Sequence, residues 1–237
     1  MKISVLTMCP EFFDSFLNSV LVARGAKRDL LNIEIVDIRS FAGGSFRHID
    51  DSPYGGGAGM IMRAEPVVSA LESVLSENSH TVLFAPAGNT YTQQKAHEYS
   101  EKDHLILICG HYEGIDARVY PYCDELLSIG DYVLSGGEIA AMAVIDSVVR
   151  LLGTIRSEST EEESFENGLL EYPQYTKPRT FRSQEVPEVL LGGNHEKIRR
   201  WRLKESLRKT AETRPDLIAS RQLSKEEKQL LEEIEEE

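Results

Sequence analysis

The chain has 237 residues, 41% of them hydrophobic and 27% charged, which is enough for one sizeable core and a smaller appendage. Its three cysteines (Cys9, Cys109 and Cys123) form no CxxC pair, and neither an apolar run of about 18 residues nor a signal-like N-terminus is present, so we expect a cytoplasmic protein with reduced thiols and no membrane association. The formal net charge of −13 argues against a nucleic-acid partner unless positive charge is concentrated in one segment.

Predicted strands and helices alternate up to about residue 152. The segment FFDSFLNSVLVARGA carries apolar residues at helical spacing from Phe13 through Val20 to Leu21. The segment HLILIC is continuously apolar, as in parallel strands covered by helices on both faces. We therefore predict an open α/β sheet with strands at 2–7, 32–38, 81–86, 104–109 and 125–129, and helices at 12–26, 65–75, 92–102 and 137–152.

The composition changes after this alternating region. Residues 157–168 (SESTEEESFENG) are polar and acidic without apolar periodicity, which is typical of a linker or mobile loop. A long helix is predicted to begin at Asn194 and to stop before Pro215. A last helix is predicted after Ser224, a plausible N-cap with Glu227 three residues later.

Charge is distributed unevenly along the chain. Residues 1–170 hold 12 Lys and Arg against 25 Asp and Glu, whereas residues 171–221 hold 12 against 7, a local balance of +5. Residues 222–237 return to a balance of −5, with 2 against 7. The central basic segment permits an RNA partner, although a solvated helix surface would look the same.

Three glycine-bearing segments follow predicted strands: APAG (85–88), CGHYEGID (109–116) and SIGDYVLSGGE (128–138). Ligands bind beyond the carboxyl ends of strands in open α/β sheets, so three such segments favour one shared pocket over three ordinary tight turns. No GxxxxGK[ST] phosphate loop occurs, and no dinucleotide glycine fingerprint follows the first strand. These absences disfavour P-loop enzymes, dehydrogenases and the commonest methyltransferase fold.

A fourth glycine-rich segment, DDSPYGGGAGM (50–60), joins the second strand to the next helix. It is either a flexible surface loop or a lid on which Tyr54 stacks against a base. Arg156 and Glu171 flank the polar segment, and by themselves they would be ordinary surface charges.

Taken together, CGHYEGID, IGDYVLSGGE, PYGGGAGM and SFENGLLEYPQYTKP, in this order, resemble the bacterial tRNA (guanine-N1)-methyltransferase family. The helix run GNHEKIRRWRLKESLRKTAETRPDL is similar as well, so the resemblance extends from Ser4 to about Leu217. It implies an α/β domain of the SPOUT type, a parallel sheet with a deep trefoil knot, followed by a small C-terminal helical domain. The implied domains are a knotted cofactor-binding domain (1–157), a mobile linker (158–170) and a tRNA-binding domain (171–237).

The resemblance implies an S-adenosylmethionine-dependent enzyme that methylates N1 of the guanosine directly 3′ of the anticodon, tRNA position 37. It also implies a homodimer with active sites across the interface, and assistance by magnesium, although no protein-bound metal site is predicted. The cofactor would lie against Phe84, Ala85, Pro86, Gly88, Gly110, Tyr112, Glu113, Gly114, Ile129, Gly130, Asp131, Tyr132, Val133, Leu134, Gly136 and Gly137.

By the same resemblance, Glu171 matches the family's catalytic carboxylate and Arg156 an arginine implicated in catalysis and RNA contact. The sequence departs from the common family pattern at three positions, with His111 for Arg, Lys177 for Arg, and Glu for Asp at 171. The residues expected to contact tRNA are Asp50, Tyr54, Gly55, Lys197, Arg199, Arg200, Lys204 and Arg208.

Two other functions remain open at this stage. A related knotted methyltransferase could act on a ribose 2′-hydroxyl or on rRNA, although Glu171 in its LLEYPQYTKP context argues against this. A non-catalytic RNA-binding or regulatory module would leave the glycine segments without a purpose.

Overall fold

The computed structural model describes residues 1–43, 48–154 and 163–237. The chain divides into two compact units, Met1–Arg156 and Ser157–Glu237. Among the described residues, no helix is both long and apolar enough to cross a lipid bilayer.

The first unit contains the predicted parallel sheet. Its strands are β1 (Lys2–Thr7), β2 (Asn32–Asp37), β3 (Asp50–Asp51), β4 (Ile61–Met62), β5 (Ser79–Thr90), β6 (His104–Ile108) and β7 (Glu125–Ser128). Five of them are hydrogen-bonded in the order β2-β1-β6-β5-β7, and every pairing in this sheet is parallel. The short strands β3 and β4 form a separate antiparallel pair.

Helices cover both faces of the sheet. They are α1 (Asp14–Leu17), α2 (Val20–Lys27), α3 (Ala64–Val74), α4 (Gln93–Ser100) and α5 (Glu138–Val149). Side chains alternate between the faces of a strand, so Leu105 and Leu107 join the core under α2, α4 and α5, whereas Ile106 and Ile108 join the core under α3. This two-sided burial explains the continuously apolar sequence of β6 and confirms the predicted α/β class.

The prediction of a single helix over residues 12–26 is wrong. A 3-10 turn (Pro10–Phe13) leads into the short α1, and α2 begins only after Ser19, whose backbone is extended at φ −61° and ψ 149°. The Asn18 side-chain amide donates to the Asp14 carbonyl at 2.7 Å, an alternative to continued helical bonding. Val20, expected on the buried face, is 76% exposed.

The pairing of strand β5 with β7 is interrupted and then resumes. The strand pairs with β7 up to Phe84 and again from Asn89, and both residues lie opposite Leu127. Residues 85–88 therefore bulge out at the carboxyl end of the sheet. A Cβ at Gly88 would come within 2.3 Å of the Leu127 backbone nitrogen, so the close return of the strand requires glycine there.

The second unit is mainly helical. It contains a small hairpin of β8 (Thr180–Phe181) and β9 (Gln184–Glu185), followed by α6 (His195–Thr213), α7 (Pro215–Ala219) and α8 (Lys225–Glu235). Its hydrophobic core contains the buried side chains of Leu169, Leu207 and Leu230. Leu169 is only 3% exposed, so the C-terminal end of the expected linker packs inside this unit, while residues 158–162 lie outside the described residues.

The predicted start of α6, its end before Pro215 and the predicted start of α8 are confirmed. The Asn194 side chain accepts a hydrogen bond from the Lys197 backbone N–H at the start of α6. Ser224 and Glu227 form a reciprocal capping box at the start of α8. The hairpin and α7 carry weaker sequence signals and were not predicted.

Candidate functional site

Three loops meet around a cavity of about 400 Å³ at the carboxyl ends of β5, β6 and β7. Its volume lies within the range of pockets that hold small organic ligands, roughly 300–1,000 Å³. All three loops come from the first unit, and they are the segments 85–88, 109–116 and 128–138. The shared pocket predicted from the glycine segments is therefore present in the fold.

Fourteen of the sixteen residues expected at the cofactor line this pocket, whereas Gly88 and Asp131 do not. Gly88 instead fits between two strands, as described above. The lining residues from the prediction are Phe84, Ala85, Pro86, Gly110, Tyr112, Glu113, Gly114, Ile129, Gly130, Tyr132, Val133, Leu134, Gly136 and Gly137.

The 109–116 loop is held on two sides. On one side the Gly137 N–H donates to the Gly110 carbonyl at 2.9 Å. On the other side the Met62 N–H donates to the Gly114 carbonyl at 2.9 Å. Tyr112 adopts a positive φ of 58°, an unusual conformation for a non-glycine residue that is maintained by these surrounding contacts.

The glycines of the 128–138 segment permit contact between loops, not only approach to a ligand. A Cβ at Gly136 would come within 2.3 Å of His111 Nε2 and within 2.4 Å of Glu138 Oε2. A Cβ at Gly137 would lie 2.7 Å from the Cys109 Cα atom. Gly136 and Gly137, which were expected at the cofactor, are thus also required for packing between the two loops.

A buried polar cluster lies beside the pocket. Glu138, 2% exposed, accepts from the Thr7 hydroxyl at 2.6 Å and lies 2.9 Å from His111 Nε2. Together with Cys9, His111 and Glu138 bring one potential metal-ligand atom each within 4.8 Å of one another. Sequence reasoning missed this cluster because Thr7 and Cys9 lie more than 100 residues before His111 and Glu138 in the chain. Its hydrogen bonds join the end of β1, the 109–116 loop and the start of α5.

The two cysteines beside the pocket, Cys9 and Cys109, are poorly suited to act as nucleophiles. Cys109 is completely buried, and burial together with the nearby Glu138 carboxylate raises the pKa of its thiol well above the ordinary value. Burial likewise raises the pKa of the Cys9 thiol, with Glu138 adding to the effect. Protonated thiols are poor nucleophiles, so these cysteines are not poised for covalent catalysis.

Several pocket residues had not been assigned from sequence. They come from strand ends, from the three pocket loops themselves, from the 3-10 helix at Ala117–Tyr122 and from the first turn of α5. They are Leu83, Ala87, His111, Ile115, Tyr120, Leu127, Ser128, Ser135 and Ala140.

The 50–60 loop approaches the pocket at one end. A Cβ at Gly59 would come within 2.3 Å of Glu113 Cγ, so the loop packs directly against a pocket-lining residue. Asp50 lies in β3, and its charge contributes, after desolvation, to a raised pKa of the Tyr112 hydroxyl. Tyr54 is fully exposed and Gly55 adopts a positive φ of 86°, consistent with a turn at the tip of the loop.

Glu171 lies in the second unit and is partly buried. Its Oε1 atom accepts from the Gln174 side-chain amide at 2.5 Å, and its backbone N–H donates to the Ser164 hydroxyl at 2.9 Å. The Lys209 ammonium donates to the Glu171 carbonyl at 3.2 Å. The Gln174 contact orients the carboxylate, and the two backbone contacts hold the residue in place. Arg156, the other residue expected to act in catalysis, lies outside the described residues.

Four of the five cations expected to bind tRNA pair with carboxylates of α8 or of the residues that follow it. Arg199 pairs with Glu226 at 2.7 Å and also with Glu196 of its own helix. Arg200 pairs with Glu233, while Lys204 contacts Glu233 and Glu237, and Arg208 contacts Glu205 and Glu237. Lys197 is exposed at the start of α6. The basic segment therefore has an internal acidic partner that charge counting along the sequence did not reveal.

Comparison with known proteins gives a consistent result over the whole chain. The chain is 52% identical over 234 residues to a tRNA (guanine-N(1)-)-methyltransferase of Carboxydothermus hydrogenoformans, which covers 98% of this chain and 92% of that relative. Proteins of the same description are 48% identical in Moorella thermoacetica and 46% in Dictyoglomus turgidum, covering 99% and 100% of this chain and 96% and 98% of those relatives.

The family model described as tRNA (Guanine-1)-methyltransferase TrmD matches residues 1–220, which include the three pocket loops, Glu171 and α6. With pocket geometry, sequence motifs and relatives in agreement, the chain belongs to the tRNA (guanine-1)-methyltransferase TrmD family.

Proposed function

We propose that this chain transfers a methyl group from S-adenosylmethionine to N1 of the guanosine directly 3′ of the anticodon, position 37 of tRNA. The observation that carries the proposal is the pocket at the carboxyl ends of three parallel strands, lined by the family's glycine-bearing motifs. Glu171 supplies the carboxylate that the reaction requires. A tRNA substrate and three free thiols support a cytoplasmic location.

The pocket suits a compact cofactor with an apolar base and polar ends. Pro86, Ile129 and Leu134 offer apolar surface, while exposed backbone groups of the glycine segments offer donors and acceptors. When bound, S-adenosylmethionine supplies an already activated methyl group on its sulfonium. The contribution of the first unit is therefore to position the methyl group in line with the attacking nitrogen.

Glu171 is proposed as the general base. Guanine N1 carries a proton at neutral pH and is a poor nucleophile, so a carboxylate must accept that proton as the new N–C bond forms. The hydrogen bond from Gln174 keeps the Glu171 carboxylate oriented. We further propose that Arg156 stabilises the negative charge that develops on the base, notably at O6.

The second unit is proposed to bind the anticodon arm through the cations of α6. Exposed ion pairs contribute only about 0.2–1 kcal/mol each, so the α8 carboxylates are weak competitors for a polyanion. Phosphates that replace Glu226, Glu233 and Glu237 would retain the charge pairing of Arg199, Arg200, Lys204 and Arg208. Asp50, Tyr54 and Gly55 are proposed to contact RNA from the first unit.

We also propose that the sheet carries the deep trefoil knot of the SPOUT class and that two chains form a homodimer with shared active sites. The close passage of the 128–138 segment against Gly110 and His111 supports such threading. Exposed apolar residues next to the pocket support a partner surface: Tyr132 is 55% exposed, Val133 89% and Ile139 50%.

We propose that a magnesium ion assists methyl transfer and that oxygen atoms are its ligands. Mg²⁺ prefers carboxylates, carbonyls and water. The Cys9–His111–Glu138 cluster offers a single carboxylate beside sulfur and nitrogen, so it does not suit this ion. Glu113 lines the pocket and is the residue that would hold the ion there and offset negative charge.

A nucleoside digest tests the activity directly. The protein is incubated with unmodified tRNA transcript and S-adenosylmethionine. The RNA is then digested to nucleosides, which are separated by liquid chromatography and identified by mass spectrometry. We expect N1-methylguanosine. Appearance of a 2′-O-methylated nucleoside instead would indicate the related ribose methyltransferase activity, and unmodified RNA with intact binding would indicate a non-catalytic RNA-binding module.

A further inference from the structure

A second cavity, of about 210 Å³, lies entirely within the second unit and directly follows Glu171 along the chain. Three segments form it: residues 172–175, Leu190 at the end of a 3-10 turn, and one face of α6. Ile198, Trp201 and Arg202 stand at helical spacing i, i+3 and i+4, so they present one continuous wall. Gln174, which orients the Glu171 carboxylate, also lines this cavity, and the proposed chemistry gives the other lining residues no role.

The walls have the chemistry of a stacking site. The rings of Tyr175 and Trp201, which both line the cavity, are 6.3 Å apart between centroids and tilted by 53°. The Arg202 guanidinium lies 4.8 Å from the centroid of the Tyr172 ring. Unstacked RNA bases are held on aromatic rings and guanidinium planes of this kind.

The accessibility of the walls fits a planar ligand. Tyr172 is 8% exposed and forms a fixed wall, whereas Tyr175 is 47% exposed at the entrance. The volume is below the usual range of roughly 300–1,000 Å³ for pockets that hold drug-sized molecules. A single base suits this space better than a whole cofactor. The cations of α6 lie on the same helix and offer a path for the attached phosphates.

We propose that this aromatic pocket, defined by Tyr172, Tyr175, Ile198, Trp201 and Arg202, holds an unstacked base of the substrate RNA that neighbours the methylated guanosine. The inference rests on the proposed function. Glu171 does not line the cavity, so the base held there is not the one whose proton Glu171 removes. Capturing a neighbouring base would offset the free energy lost when the target guanine leaves the stack of the anticodon loop.

The chain contains a single tryptophan, and it lies in this pocket. Trp201 emission therefore reports on occupancy without any methyl transfer. We expect an anticodon stem–loop RNA, added without S-adenosylmethionine, to quench this emission in a saturable manner. RNAs that are abasic at one nucleotide beside the target guanosine are the matched probes. One of them should still bind but fail to quench.

Tyr175 provides the protein side of the test. Tyr175→Leu keeps apolar bulk without an aromatic face, and it should weaken RNA binding by roughly 5- to 150-fold, the span for loss of stacking on one base. Tyr175→Phe should bind like the wild type. Tyr122→Leu, a change at another half-exposed tyrosine, is the control and should have no effect. Circular dichroism and thermal melting establish that the variants are folded.

Combining the two changes identifies the occupant. If Tyr175 stacks on the missing base, the losses from Tyr175→Leu and from the abasic RNA should overlap rather than add. Additive losses for every abasic position, or wild-type affinity in Tyr175→Leu, would overturn the pocket assignment even if N1-methylguanosine is formed. If the affinity losses overlap but no methyl group is transferred, the assignment of the aromatic pocket stands and the proposed activity is rejected.

Discussion

At the scale of single residues, the proton on guanine N1 makes Glu171 the most informative position. Glu171→Gln keeps the size and hydrogen bonding of the side chain but cannot accept a proton. We expect methyl transfer to slow by roughly 10²–10⁴, the usual contribution of a general base, with S-adenosylmethionine affinity near normal. Glu171→Asp should retain more activity because the base survives with a shorter reach.

Single-turnover rates on tRNA are the appropriate measurement for Glu171, since slow product release can conceal the chemical step. A Gln variant that transfers methyl at the wild-type rate would remove Glu171 from the mechanism. Asp50 and Glu113 would then be the next carboxylates to replace.

The pocket glycines offer a second test at the residue scale. Gly136→Ala would push a Cβ into His111 and Glu138, so we expect a lower melting temperature and loss of S-adenosylmethionine binding. Gly110→Ala is the matched change. Its Cβ would meet Ile115 Cγ1 at 3.4 Å, an ordinary contact, so this variant should fold normally. A loss of S-adenosylmethionine affinity in this variant would then come from the space that the new methyl group takes from the ligand.

Calorimetry and thermal melting on the two glycine variants distinguish loop packing from ligand contact. Equal melting temperatures for Gly136→Ala and the wild type would contradict the proposed role of the loop contact. Unchanged cofactor affinity in Gly110→Ala and Gly136→Ala together would argue that the ligand binds elsewhere.

At the scale of elements, the pairing of α6 with α8 connects the basic and acidic segments of the sequence. Changing Arg199, Arg200 and Lys204 to Gln should weaken tRNA binding and reduce the salt dependence by about 0.7–0.9 units of slope per lost phosphate contact. Changing Glu233 and Glu237 to Gln should have the opposite effect, with affinity raised several-fold, because these partly exposed carboxylates would no longer compete with phosphates for the cations of α6.

Filter binding at several salt concentrations measures both effects. Glu72→Gln combined with Glu77→Gln, the same charge change at two exposed positions of the first unit, controls for net charge. If the α8 double variant binds no better than this control, α8 does not compete with RNA. An unchanged salt slope in the α6 variant would show that these cations only solvate the helix.

At the scale of the whole molecule, exposed apolar residues beside the pocket predict self-association. Introducing Asp at Val133 and Ile139 should give a monomer that has lost methyl transfer, because charged groups cannot be buried in an apolar contact without a large penalty. Leu75→Asp, at another half-exposed apolar position, should remain dimeric and active.

Light scattering and activity are measured on the same samples of these variants. A monomeric wild-type chain with full activity would refute the shared active site. A dimeric Val133 and Ile139 double variant would place the contact elsewhere on the surface.

Local physical chemistry in the sequence determined a large part of this molecule. Continuous apolar runs such as β6 predict parallel strands buried on both faces, and Ser224 with Glu227 predicts a helix start, because both signals involve residues that are near neighbours in the chain. The glycine segments after β5, β6 and β7 predicted a common pocket, since parallel strands must end at one edge.

Only the tertiary structure decided the contacts between residues far apart in sequence. The break at Ser19, the Glu138 hydrogen bonds to Thr7 and His111, and the α6–α8 ion pairs leave no periodic signal, because each depends on where distant segments meet. The same holds for the aromatic pocket. Helical spacing aligns Ile198, Trp201 and Arg202, but packing of the 172–175 segment over them creates the cavity.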